Sequence, residues 1–157
     1  MKKKTMRNWF IFLFIVGLVL GWMIPKNFWE FSREATQKPL QANVFDVPKK
    51  MAQLDKETDY FKYAVLAETE SGSIELIRLD EKIPMHMHPK ENHFVFVYKG
   101  KAKGTVGNVN AEVGPGQMVA IPAGVPHSFE RIGDAPVEII LFSTPPFTPG
   151  DTVFLEK

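Results

Sequence analysis

An all-β domain, folded as a small barrel or sandwich and preceded by one hydrophobic N-terminal helix, is the fold class this sequence predicts. Three observations predict it. From Tyr60 onward, short runs rich in β-branched and aromatic residues alternate with turn residues. No long amphipathic helical pattern separates those runs. Ahead of them, residues 9–24 (WFIFLFIVGLVLGWMI) carry no charge and follow a basic head, MKKKTMR.

The N-terminal segment comes first. A basic head followed by an apolar run marks a segment that inserts with its N-terminus in the cytoplasm. The run is a little shorter than the roughly 20 residues that span a bilayer. Trp9 and Trp22 suit the two interfaces. Residues 1–25 are therefore expected to form a signal-anchor or transmembrane helix, single-pass, with the rest of the chain extracytoplasmic. Cleavage and secretion is the alternative, with Val19-Leu20-Gly21 a weak cleavage site. Residues 26–58 read as a juxtamembrane linker, with a short helix over 48–56 that starts on Pro48.

Residues 59–157 then form the barrel. Its strands are expected at 60–69, 72–79, 84–88, 93–99, 101–106, 111–114, 117–122, 127–132 and 137–143. The breaks between them fall at Gly, Pro, Asn and Asp, such as Ser71-Gly72, Gly107-Asn108 and Gly114-Pro115-Gly116. The proline-rich tail from Ser143 is expected to run over the barrel and to add an edge strand at 152–155.

Composition narrows the function. Of 157 residues, 45% are hydrophobic, enough for one core. Net charge is +1, but Lys2, Lys3, Lys4 and Arg7 are four of the 19 basic residues and no acid precedes Glu30. The remainder holds 15 basic against 18 acidic residues, with no basic footprint for a nucleic-acid partner. Cysteine is absent, which excludes disulfides, thiolate ligands and a cysteine nucleophile.

The four histidines carry the chemistry. His86 and His88 are two apart, so on a strand both imidazoles share one face. His93 follows a four-residue turn, and its strand places Val95 and Val97 on the histidine face. His127 follows Pro122-Ala123-Gly124-Val125-Pro126, a rigid turn that fixes where its strand begins. Met85 and Met87, and Phe94, Phe96 and Tyr98, have the opposite parity and should point away. Neutral imidazole is a ligand for Zn, Fe, Cu and Ni, and such strands can converge inside a barrel. Phe129 and Phe142 are expected either at a ligand mouth or in plain core.

The spacing of these residues resembles the two motifs of the cupin superfamily. The first motif, P-x-H-x-H-(x)4-E-(x)6-G, matches Pro84, His86, His88, His93 and Gly100 in spacing; the second, G-(x)5-P-x-G-(x)2-H, matches Gly116, Pro122, Gly124 and His127. The resemblance covers about 60–143 and implies a single conserved-barrel cupin, a double-stranded β-helix or jelly-roll. It also implies one divalent metal (Fe, Mn, Ni, Cu or Zn) held by His86, His88, His93 and His127. His93 stands where the family usually has Glu, and Arg131 where the motif often ends in Asn. Four neutral imidazoles would leave the full 2+ charge, a better partner for an anionic chelating ligand. Glu91 shares the parity of His93 and competes for its position; the distance to Gly100 favours His93.

Three functions stay open on this reading. One is a dioxygenase- or isomerase-like enzyme acting on a small anionic or chelating substrate. The second is a non-catalytic small-molecule sensor or binding module of the cell envelope. The third is a structural subunit of a membrane complex. A general acid or base would come from Tyr60, Tyr63, Glu91 or Arg131. Small domains of this kind often pair, so a homodimer is expected. Metal affinity is expected to fall below about pH 6.5, the ordinary histidine pKa.

Overall fold

The computed structural model describes residues 40–155. The predicted membrane segment at 1–25 lies outside the described residues, as does the linker up to 39. No helix among the described residues is long and apolar enough to cross a membrane.

One short helix opens the described part, α1 (Val47–Met51). Its Asp46 cap accepts a hydrogen bond from Lys49 N at 3.0 Å, satisfying one of the unpaired N–H groups of the first turn. Pro48 fits that first turn, where its missing N–H costs nothing. The helix stops at Met51, short of the predicted 56. The chain then enters β1 (Lys56–Glu57), which pairs with β2 (Phe61–Glu68), so the sheet begins ahead of residue 59.

Nine more strands follow: β3 (Ser73–Leu79), β4 (Lys82–Met87), β5 (Asn92–Lys99), β6 (Lys101–Val106), β7 (Val109–Val113), β8 (Met118–Ile121), β9 (His127–Ile132), β10 (Val137–Thr144) and β11 (Val153–Phe154). They form two antiparallel sheets. One has the order β1-β2-β3-β10-β5-β8 and the other β11-β4-β9-β6-β7. This is the jelly-roll arrangement, all-β, with the core between the sheets.

Alternation sorts the residues. Along β10, Val137, Ile139, Leu141 and Ser143 are buried, while Phe142 is 38% exposed. Phe142 is therefore neither core nor mouth: its parity turns it to the outer face of the sheet. Along β5, His93, Val95 and Val97 are buried, and Phe94 is exposed. Leu76 of β3 has the outward parity yet is fully buried, on the strand against which α1 packs; Met51 of that helix is 4% exposed.

Two glycines occupy positions that a side chain would disturb. Gly124 has φ +75, which its turn requires and other residues adopt only with strain. Gly104 of β6 lies opposite Phe129 of β9, and a Cβ there would stand 2.8 Å from the ring's Cε1. The missing side chain makes the space the phenyl ring fills.

Candidate metal centre

Local sequence brings each imidazole inward. The β4–β9 register shifts between Ile83 and His86, a bulge that includes Pro84. Pro84 has no N–H to give the ladder, so its carbonyl and the bulge re-aim the chain. Ile83 and His86 consequently both reach the interior although they are three residues apart. His127 begins β9 and lies opposite His86 on β4 and Val106 on β6. The turn before it is pinned to the β4–β5 turn: Gly124 N donates to His88 O at 2.8 Å, and Ala123 N to Asn92 Oδ1 at 3.1 Å. His93 sits in β5 between Ser143 and Ile121.

The four predicted histidines meet. Ring centroids are 4.2 Å apart for His86–His127 and for His88–His93, 5.2 Å for His86–His88 and 5.4 Å for His88–His127. His93–His127 is 6.3 Å. All four are buried. His86 Nδ1 is 2.7 Å from Pro84 O, and His127 Nδ1 is 2.9 Å from Val125 O. A carbonyl only accepts, so each Nδ1 carries the proton and each Nε2 presents its lone pair.

Burial also sets their charge. It lowers the pKa of His86, of His127 to about 4, and of His88 to about 2, with neighbouring imidazoles adding to the effect on His88. These rings are thus neutral at physiological pH, the state a metal needs.

A carboxylate joins them. Glu91 is 2% exposed, and its Oε2 lies 3.0 Å from His93 Nε2 and 3.9 Å from His88 Nδ1. Its other oxygen accepts from Thr148 N at 2.7 Å. Two groups of three residues could hold an ion, His86-His88-His127 and His88-Glu91-His93, their donor atoms within 4.8 Å of one another. His88 Nδ1 is buried without a hydrogen-bond partner. A buried nitrogen left unpaired beside a carboxylate and three imidazoles fits a divalent ion, which would satisfy it.

Of the other acid–base candidates, neither Tyr60, Tyr63 nor Arg131 lines the cavity. Tyr63 packs edge-on against Phe147 and Tyr60 against Phe154, while Arg131 donates to Gly133 O at 2.6 Å. The sequence reading missed Glu75, fully buried on the inward face of β3. Ser143 Oγ donates to its Oε2 at 3.1 Å, and its Oε1 has no partner. Burial pushes its carboxyl up to about 7, against the lowering by Ser73 and Ser143, with the Glu91 charge adding to the rise. The signal was present: Ser73 and Glu75 share the parity of Ile77 and Leu79.

Beside the histidines lies a cavity of about 60 Å³. Apart from the four imidazoles and Thr152, its walls are apolar, among them Phe61, Val95, Ile121, Phe129, Leu141 and Phe147. At the ~10–15 Å³ a water needs, it holds roughly four to six groups of that size.

Residues 74–143 match the cupin domain family, over the strands that carry all four histidines. The barrel has the cupin fold. An uncharacterized protein of Methanocaldococcus jannaschii is 31% identical over 81 residues, covering 52% of this chain and 65% of that protein, short of two thirds of its length. An uncharacterized conserved protein of Klebsiella pneumoniae with a double-stranded β-helix domain superposes with a TM-score of 0.60 at 18% identity, over 74% of this chain and all of the other. The oxalate decarboxylase of Lactobacillus farciminis, in a formate complex, gives 0.53 at 22% identity, over 67% of this chain and 34% of that enzyme. At these identities both structures speak for the cupin fold alone.

Proposed function

We propose that this cupin domain holds one divalent metal ion through His86, His88, His93 and His127 and uses it to bind a small molecule with a chelating head and an apolar body. The observation that carries the reading is the convergence of four buried imidazoles on a cavity whose other walls are nearly all apolar. No lysine or arginine lines that cavity. A second charged end on the ligand would lie there without a partner, so the ligand carries at most one anionic group. A bound ion supplies Lewis-acid polarisation and, if iron, the means to engage O2. The protein's own part is to hold His86, His88 and His127 neutral and to exclude water from the apolar end.

The first form of this function is a dioxygenase- or isomerase-like enzyme. A second form, a non-catalytic binding module, is favoured by one observation: Thr152 is the single polar side chain in the cavity wall besides the imidazoles. Two further parts of the proposal rest on the sequence. Residues 9–24 tether the domain to the membrane with the barrel extracytoplasmic, and the domain pairs as a homodimer.

Metal analysis tests the central claim. Wild type should retain about one ion per chain after exposure to Fe, Mn, Ni, Cu or Zn. His86→Ala and His88→Ala should lose most of it while melting cooperatively. Equal metal in wild type and His86→Ala would overturn the reading. Turnover of a small acid by the loaded chain, against binding alone, separates enzyme from sensor. A reporter joined after Lys157 should be active outside the cytoplasm only.

A further inference from the structure

The tail beyond β10 does more than cover the barrel. Between Thr144 and β11 it runs through Phe147, Thr148 and a 3-10 turn (Pro149–Asp151). Three of its groups bind the polar end of the site. Thr148 N donates to Glu91 Oε1 at 2.7 Å. Asp151 Oδ2 accepts from Lys90 N at 3.0 Å and from Glu91 N at 3.3 Å, across 61 and 60 residues of sequence. Phe147 N donates to Ser73 Oγ at 2.8 Å, and its ring lies 6.3 Å from that of His93.

These contacts fix Glu91 from both ends. Asp151 holds the backbone of the β4–β5 turn, and Thr148 holds one carboxylate oxygen. The oxygen left over is the one beside His93 Nε2 and His88 Nδ1. His93 Nε2 and Glu91 Oε2, 3.0 Å apart, are within hydrogen-bond distance, and the same spacing matches neighbouring ligands on an ion whose bonds are about 2.1 Å. A carboxylate buried at 2% exposure, with one oxygen taken and the other aimed between two imidazoles, is placed to serve as a ligand.

The geometry points to Glu91 as a carboxylate donor of the metal site, two residues ahead of the position where the family motif carries Glu, and to the C-terminal strap, through Asp151 and Thr148, as the element that positions it. The inference rests on the proposed metal-binding role. It changes the donor set of the site from four imidazoles to imidazoles plus one carboxylate. It also makes Asp151, which lines no part of the cavity, a positioning residue for metal affinity.

The test uses the full-length chain and Co(II), whose visible bands report the donor set, with affinity read by competition against a chelator. Glu91→Gln should weaken Co(II) binding at least about tenfold and alter the bands. Asp151→Ala should weaken it by about 10–100-fold, the range for partners that orient a ligand. Asp151→Asn keeps an acceptor oxygen and should stay within about threefold of wild type. In the Glu91→Gln background, Asp151→Ala should cost little more, because both changes remove one interaction. Wild-type affinity and bands in Glu91→Gln would overturn Glu91 as donor. An Asp151→Ala loss of equal size in both backgrounds would overturn the positioning role, as would an Asp151→Asn loss matching that of alanine. If wild type itself takes up no Co(II), the metal-binding proposal fails first, and that outcome is distinct from these.

Discussion

Glu75 sits in the barrel wall as a carboxyl that burial makes reluctant to ionise. Between about pH 4.5, its ordinary value, and about 7, the folded chain holds a proton that the unfolded chain has released. Stability from this group is therefore intact below that window and is lost as pH rises through it. Glu75→Gln removes the charge and keeps the shape. It should raise the melting temperature at pH 8, by an amount equivalent to roughly 3 kcal/mol at about 1.4 kcal/mol per pKa unit, and change it little at pH 4.5. His86, His88 and His127 run the other way. His127, lowered to about 4, contributes stability above its ordinary 6.5 that is lost as pH falls toward 4. The same lowering delays proton competition for the metal. Equilibrium dialysis should show bound metal persisting below pH 6.5, the point at which unburied imidazoles would begin to release it. Side-chain spacing made the four histidines legible, because period two and two rigid turns leave few other destinations. The roles of Glu91 and Glu75 were not legible. Parity places Glu91 and His93 on the same face without saying which oxygen points where, and the strap contacts that decide it come from about 60 residues away.

At the scale of elements, strand positions were legible from the turn residues between them, and the edge strand of the tail is present as β11 against β4. What the sequence pattern could not convey was the front of the domain. Residues 47–57 are polar in texture, yet α1 caps β3 and β1 extends the sheet. The single buried residue of that helix, Met51, carries the attachment, and one buried residue in five makes no periodic signal. Truncation shows the consequence. A chain starting at residue 44 should melt as the full barrel does. A chain starting at residue 59 should lose about 1.5–3 kcal/mol for the uncovered methionine contact alone, read by denaturant unfolding. Equal stability of the two would mean that α1 and β1 are ornaments on the sheet. Phe142 teaches a related point: its run, VEIILFS, is apolar at nearly every position, so periodicity could not choose its face.

At the scale of the whole molecule, both sheets carry exposed apolar side chains, among them Val109 and Ile132 on the five-stranded one. The outer side of the six-stranded sheet carries Phe94 paired with Phe142, and exposed Met118 opposite Phe96 at the sheet's edge. Apolar side chains in adjacent register on one face suit a second copy of the same surface. Sedimentation of the truncated domain at micromolar concentration should give a dimer, and Phe94→Glu should give a monomer with its metal site intact. A wild-type monomer under those conditions would remove the homodimer from the proposal.

Phe129 borders both the histidine cavity and a surface groove lined by exposed Val109 and Ala111 with Val119. It stands between them because Gly104 gives it room. The ring is thus a partition hung on a single missing methyl group. Gly104→Ala would set a carbon 2.8 Å from that ring and oblige it to swing away, reshaping the wall of the histidine cavity without touching any polar group. In the loaded protein this substitution should leave metal content unchanged while shifting the preferred ligand length by a carbon or so, read as a reordering of affinities along a homologous series of acids. Chain-length selectivity would then be set by a residue that has no side chain.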